Sequence, residues 1–69
     1  MDEAKAVELV KARIAEMAEE GFTYPVLSVR EHERIWAVAV QPKRPDGQAL
    51  YDYIGFDVDK VTGEVRQMN

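Results

Sequence analysis

Three carboxylates crowd the stretch Asp57-Val58-Asp59-Lys60-Val61-Thr62-Gly63-Glu64-Val65, and alternating oxygen ligands beside a glycine are what a calcium loop is made of. Such a loop needs a third oxygen at its fifth position, glycine at the sixth and a closing glutamate at the twelfth. Counted from Asp57, those places hold Val61, Thr62 and Met68, and Lys60 would set a cation beside the metal. The same residues are better used to reverse the chain. Asp59 can accept from backbone N–H groups two or three residues on, Thr62 can add a hydroxyl, and Gly63 takes a positive φ without steric cost. The expectation is a hairpin turn clasped by Asp59, with no metal bound.

The other residues with chemical potential assemble no better. His32 lies between Glu31 and Glu33, but neighbouring residues in a turn point in different directions, and no second histidine or any cysteine exists to complete a transition-metal shell. An exposed turn is the expected role. Thr23, Ser28 and Thr62 have no evident base partner for a nucleophilic triad. Glycines 21, 47, 55 and 63 are isolated, which excludes a phosphate-cradling loop. Thirteen acids offer many carboxylate pairs, yet no spacing singles one out for acid–base work. The residues thus predict a non-enzymatic protein without a cofactor.

Composition narrows the partner classes. A chain of 69 residues with 46% apolar and 32% charged residues falls among folded globular domains and has room for one domain, residues 1–69, with a small core. Its nine basic residues are scattered and the formal net charge is −4, so no basic stripe exists for nucleic acid. Residues 1–20 carry six acids against three bases, the pattern of a solvated helix face. Without cysteine, stability must come from packing or association. No segment has the length and apolarity of a membrane span or a secretion signal, so a complete chain would stay in the cytoplasm. A chain excised from an exported precursor would bear no mark of its compartment.

The elements that hold these residues can be placed from pattern. Asp2 is a good N-cap, and Val7, Val10, Ile14, Met17 and Ala18 recur at steps of three and four, predicting an amphipathic helix that runs to the Glu19-Glu20 pair and stops at Gly21. Two acids at the negative end of the helix dipole are an oddity in that scheme. Three β-rich runs follow, Val26–Arg30, Ile35–Gln41 and Leu50–Val58, then a shorter one, Glu64–Met68. Short turns between consecutive runs predict an antiparallel meander with the helix on one face, an α+β fold of order α-β-β-β-β. The last strand is the weakest signal, so the sheet has three to four strands.

Alternation then sorts the side chains. Leu27, Val29, Trp36, Val38, Val40, Leu50, Ile54, Phe56 and Val58 are expected to meet the helix. Asp52 breaks that parity, pointing to a bulge or to a strand whose buried part begins at Ile54. The opposite face carries Ile35, Ala37, Ala39, Tyr51 and Tyr53, small or apolar residues where charges would be normal. Together with the basic, proline-bearing loop that holds Lys43 and Arg44, these are the expected partner-binding residues. Part-cover of this face by long side chains such as Arg30 and Gln41 is the alternative. A homodimer through this face is the simplest way for so small a domain to gain buried area.

From Ile35 onward the order of apolar strand, Asp46-Gly47 loop, aromatic-rich strand and closing Val58-Asp59-Lys60-Val61-Thr62-Gly63-Glu64-Val65 resembles the PepSY domain. In that family a helix precedes a meander that closes on a similar motif. The resemblance implies a non-catalytic module that binds or inhibits a partner protease. The closing hairpin is also similar to that of small bacterial immunity proteins, which neutralise a toxin. The resulting expectation is a small protein-binding or inhibitory module acting through its loops and outer sheet face. A toxin-immunity or phage-type inhibitor, or a purely structural or designed domain without a ligand, are the alternatives.

Overall fold

Asp2 starts the helix as its position predicts: Oδ1 accepts from the Lys5 N–H at 2.9 Å, and the Asp2 carbonyl accepts from the Ala6 N–H at 3.1 Å. The computed structural model describes residues 1–50 and 52–68. In it α1 spans Glu3–Met17, followed by β1 (Val26–Glu31), β2 (Ile35–Val40), β3 (Ile54–Asp59) and β4 (Val65–Met68). The strands form one antiparallel sheet in the order β1-β2-β3-β4, and α1 lies across one face. This is the expected α+β architecture, with the fourth strand present. No helix among the described residues is long and apolar enough to cross a membrane.

The helix ends earlier than its sequence pattern suggests. Ala18 is already extended, at φ −69° and ψ 140°, so the run to Glu20 is not helical. Stopping at Met17 puts Glu19 and Glu20 beyond the last turn, but Glu16 stays within it and no basic residue is there to balance the dipole. Gly21 keeps its positive φ, 84°, in a separate turn closed by the Phe22 N–H donating to the Glu19 carbonyl at 3.2 Å. Its missing side chain also matters, because a Cβ there would come within 3.0 Å of Pro45 Cγ. The connection after the helix is thereby packed against the loop after β2.

Ala6, Val10 and Ile14 are the buried stripe of α1, and they meet Trp36, Val38, Val40, Phe56 and Val58 from the sheet. Val7 is only half-buried, Ala18 is exposed and Met17 is 44% exposed. The expected stripe therefore shifts by one position, since Ala6, spaced four from Val10, lets the helix backbone approach the sheet closely. Five of the nine strand residues expected in the core are buried, and Val29 and Ile54 are packed against it. Leu27 and Leu50 are the exceptions.

Leu27 is displaced by a β-bulge. Val26 pairs with Val40 and Ser28 with Ala39, so two steps on β1 match one on β2 and Leu27 is the extra residue. The parity reverses across it: Val26 and Val29 both face the helix, and Leu27 is left 52% exposed. Leu50 falls outside the sheet altogether, because β3 begins only at Ile54, which also resolves the parity break at Asp52. The Leu50 N–H donates to the Pro42 carbonyl at 2.9 Å, and the loop 42–50 is a small hairpin of its own. Lys43 ties that hairpin to the preceding connection by exchanging backbone hydrogen bonds with Thr23 at 2.8 and 3.0 Å.

One end of the core is closed by a charged side chain. Lys60 Nζ lies 5.4 Å from the centre of the Trp36 ring and pairs with Glu31 Oε2 at 2.8 Å. Its amide donates to the Arg34 carbonyl at 3.0 Å, so the β3–β4 turn is fastened to the β1–β2 turn. The buried Trp36 indole N–H finds no acceptor among the described residues, a desolvation cost of about 1–3 kcal/mol that burial of the ring must offset.

These placements predict a contrast in unfolding experiments. Phe56→Ala, at 1% exposure, lowers stability by about 3–5 kcal/mol, whereas Leu27→Ala changes it by about 0.5 kcal/mol or less at dilutions where the chain is monomeric. Urea titration followed by the fluorescence of the single tryptophan measures both, and equal losses would contradict the bulge.

Candidate functional site

With α1 on one side only, no other element among the described residues covers the opposite face of the sheet. Pairing register sets two rows of outward residues across it. One row runs Ser28, Ala39, Gly55, Met68, and the next runs Arg30, Ala37, Asp57, Arg66. The two central strands thus present alanine and glycine, which leaves a groove of about 440 Å³ bordered by Leu27, Arg30, Tyr53 and Asp57. Tyr53 is 62% exposed, and its ring edge lies 4.0 Å from where a Cβ on Gly55 would be. The edge of the ring therefore borders the space beside Gly55 that a side chain would fill.

The structure treats the expected binding residues unevenly. Ala37, Ala39 and Tyr53 come together at the groove. Ile35 follows the same parity at the far end of β2 but does not line it. Lys43 and Arg44 lie beyond the other end of the strand, Lys43 half-buried and Arg44 exposed, and neither reaches the groove. Tyr51 lies outside the described residues. Leu27 and Gly55 border the groove without a sequence signal for it, since parity assigns Leu27 to the core and a glycine has no side chain to assign. Arg30, expected only as cover, is a flank of the groove. Arg30 and Asp57 share the parity of Ala37, but their placement on either side of it follows only from the register.

A second groove, about 540 Å³, opens where α1 ends, between Met17, Tyr24, Pro42, Leu50 and Ile54. It is lined mainly by apolar side chains, with Glu19 and Gln67 beside them. Among the described residues no group of three or more histidine, cysteine or acidic residues is arranged to hold a metal.

The carboxylates of the β3–β4 turn are engaged with backbone. Asp59 Oδ1 accepts from the N–H groups of Val61 and Thr62, both at 2.8 Å, and the Asp59 carbonyl accepts from Gly63 at 2.9 Å. Thr62 Oγ1 accepts from the Glu64 N–H at 3.1 Å. Gly63 has φ 78°, and a Cβ there would make ordinary contacts with Leu9 and Met1. Glycine is therefore required for its backbone conformation and not for space. Glu31, the neighbour of His32, is taken by Lys60, and the His32 N–H donates to the Ile35 carbonyl at 2.9 Å within a tight, exposed turn. Both candidate clusters are thus turns that join strands.

The clasp makes a pH-dependent prediction. The amides of Thr62 and Val61, in that order, hold the Asp59 carboxyl below the usual aspartate range. A depressed folded-state pKa contributes stability that is present above the ordinary aspartate pKa and is lost as pH falls through the lower, folded value. Acidification through that window should shift the Val61 and Thr62 amide resonances together with the Asp59 carboxyl carbon. Asp59→Ala should abolish that shared transition and lower the unfolding midpoint, and Asp59→Asn, which keeps an accepting oxygen, should lower it less. Calcium should leave the amide resonances of Asp57–Glu64 unmoved; a saturable shift there would contradict the turn assignment.

Compared with protein-family models, curated proteins and solved structures, the chain matches none, so its function is argued from the geometry of the uncovered face.

Proposed function

We propose that this protein is a small non-enzymatic protein-binding module and that the outer face of its sheet is the binding surface. The observation that carries this reading is the floor of Ala37, Ala39 and Gly55 flanked by exposed Leu27 and Tyr53. A face of a soluble sheet that needs only solubility is normally lined with charged side chains. Small residues in the centre let a partner approach the backbone, and a tyrosine at the edge supplies a large contact with few rotatable bonds. The resemblance of the closing motif to PepSY modules favours the same class, binding in place of chemistry.

A photo-reactive phenylalanine analogue placed at position 53 tests the reading in the cells that make the protein. Irradiation should produce a covalent adduct from position 53 and none from position 11, on α1. Ala39→Lys, which fills the groove floor, should remove the position 53 adduct while leaving the circular dichroism unchanged. Adducts from the helix position, or adducts from position 53 that persist with lysine at position 39, would contradict it.

A further inference from the structure

The outward residues of β1 and β3 are arranged in complementary pairs about β2. Arg30 and Asp57 flank Ala37 on either side of that strand, Ser28 and Gly55 flank Ala39, and Leu27 and Tyr53 flank it at its Val40 end. Arg30 and Asp57 are thus two strand spacings apart, about 10 Å, with β2 midway. Rotating a second copy by a half turn about an axis lying along β2, in the plane of the groove, places Arg30 over Asp57 of that copy and Asp57 over its Arg30. Leu27 falls on Tyr53, Ser28 on Gly55, and Ile35, Ala37 and Ala39 each fall on themselves.

The other two-folds along the strands either oppose like charges or overlay too little of the sheet. An axis between β1 and β2 sets Arg30 against Ala37 and one between β3 and β4 sets Asp57 against Arg66, but each overlays only two strands. An axis between β2 and β3 sets Arg30 against Arg66, one on β3 sets Asp57 against itself, and one on β1 sets Arg30 against itself. Like charges directly opposed across an interface are strongly unfavourable. The β2 axis, by contrast, pairs opposite charges and also puts the smallest side chains where two sheets must come closest.

The β2 axis overlays β1, β2 and β3 of the two copies and leaves β4 at the rim. A standard interface removes about 800 Å² from each partner, about one sixth of the 4908 Å² surface of this chain.

Resting on the reading of the outer face as the binding surface, we infer that its occupant is a second copy of this chain, docked about a two-fold axis along β2 with two reciprocal Arg30–Asp57 pairs. The result is a β-sandwich of two four-stranded sheets with a helix on each outer side, packed in the aligned manner that sheet twist favours. Association of this kind compensates for the small core of a chain this short.

Charge exchange tests the inference. In sedimentation equilibrium the wild type should dimerise, and Arg30→Asp or Asp57→Arg should each raise the dimer dissociation constant at least about 100-fold. An equimolar mixture of the two variants should dimerise again. In the mixed dimer one pair joins the introduced aspartate to the introduced arginine with its polarity reversed, and the other is an unaltered Arg30–Asp57 pair. As a check that does not depend on these charges, a short bismaleimide should join two chains carrying Ala39→Cys, which lies on the axis, and not two carrying Glu8→Cys. A wild type monomeric up to millimolar concentration, or single variants that dimerise like the wild type, would overturn the inference. If position 53 still cross-links to a different protein in that case, the binding face stands and only the identity of its occupant is wrong. If position 53 cross-links to nothing, both readings fall.

Discussion

A single helix of fifteen residues can cover one face of a four-stranded sheet and no more, and the remaining features of this molecule follow from that constraint. On the covered side the strands contribute Trp36, Val38, Val40, Phe56 and Val58, large enough to close a core against Ala6, Val10 and Ile14. On the other side the same strands, one residue out of phase, contribute Ile35, Ala37, Ala39, Gly55 and Asp57. Alternation makes the two faces independent in composition. Small apolar residues on the bare face are consequently a choice that core formation does not impose. This is what shifts attention from the carboxylate-rich turn, where chemistry first suggested itself, to a surface with almost no chemistry.

The bulge at Leu27 connects the two faces. An unbroken β1 would have Leu27 and Val29 facing the helix and Val26 facing out. The extra residue instead sends Val26 and Val29 inward and delivers Leu27 to the groove, opposite Tyr53 across β2. The bulge also twists an edge strand away from the straight geometry on which another chain could extend the sheet. Edge pairing is thus discouraged on β1, while the face opposite the helix keeps small residues at its centre. Asp59 and Gly63 fix the β3–β4 hairpin, and Lys60 fastens it to Glu31 and over Trp36, so the strands that carry the groove are held together at their Ile35–Asp59 end.

The architecture is readable in the sequence where local and periodic signals agree. Asp2 marks the start of the helix, the alternation of β2 places Trp36, Val38 and Val40 inside, and Asp59 with Gly63 marks a turn because each residue type has a local reason to be there. The failures share a cause, which is that tertiary pairing overrides a local pattern. The helix stripe continues on paper through Met17 and Ala18, but the connection to β1 and the repulsion at Glu19-Glu20 end it sooner. Leu27 and Leu50 have the parity of core residues, yet one lies in a bulge and the other in a loop bonded to Pro42. Of the candidate surface, Ala37, Ala39 and Tyr53 are legible as apolar residues on the wrong face for a core. The flanking pair Arg30 and Asp57 is not, since their relation exists only through a register that spans three strands.

The uncovered sheet face is, on this reading, a binding surface that buries itself when molecules meet. The most direct measurement is a dilution series of amide and methyl NMR spectra, which reports contact at each residue without altering the protein. Concentration-dependent shifts are expected at Ala37, Ala39, Tyr53 and Gly55, with the resonances of Glu8, Lys11 and Ala15 on the exposed side of the helix constant. Spectra that do not change on dilution, or changes confined to the helix, would contradict it.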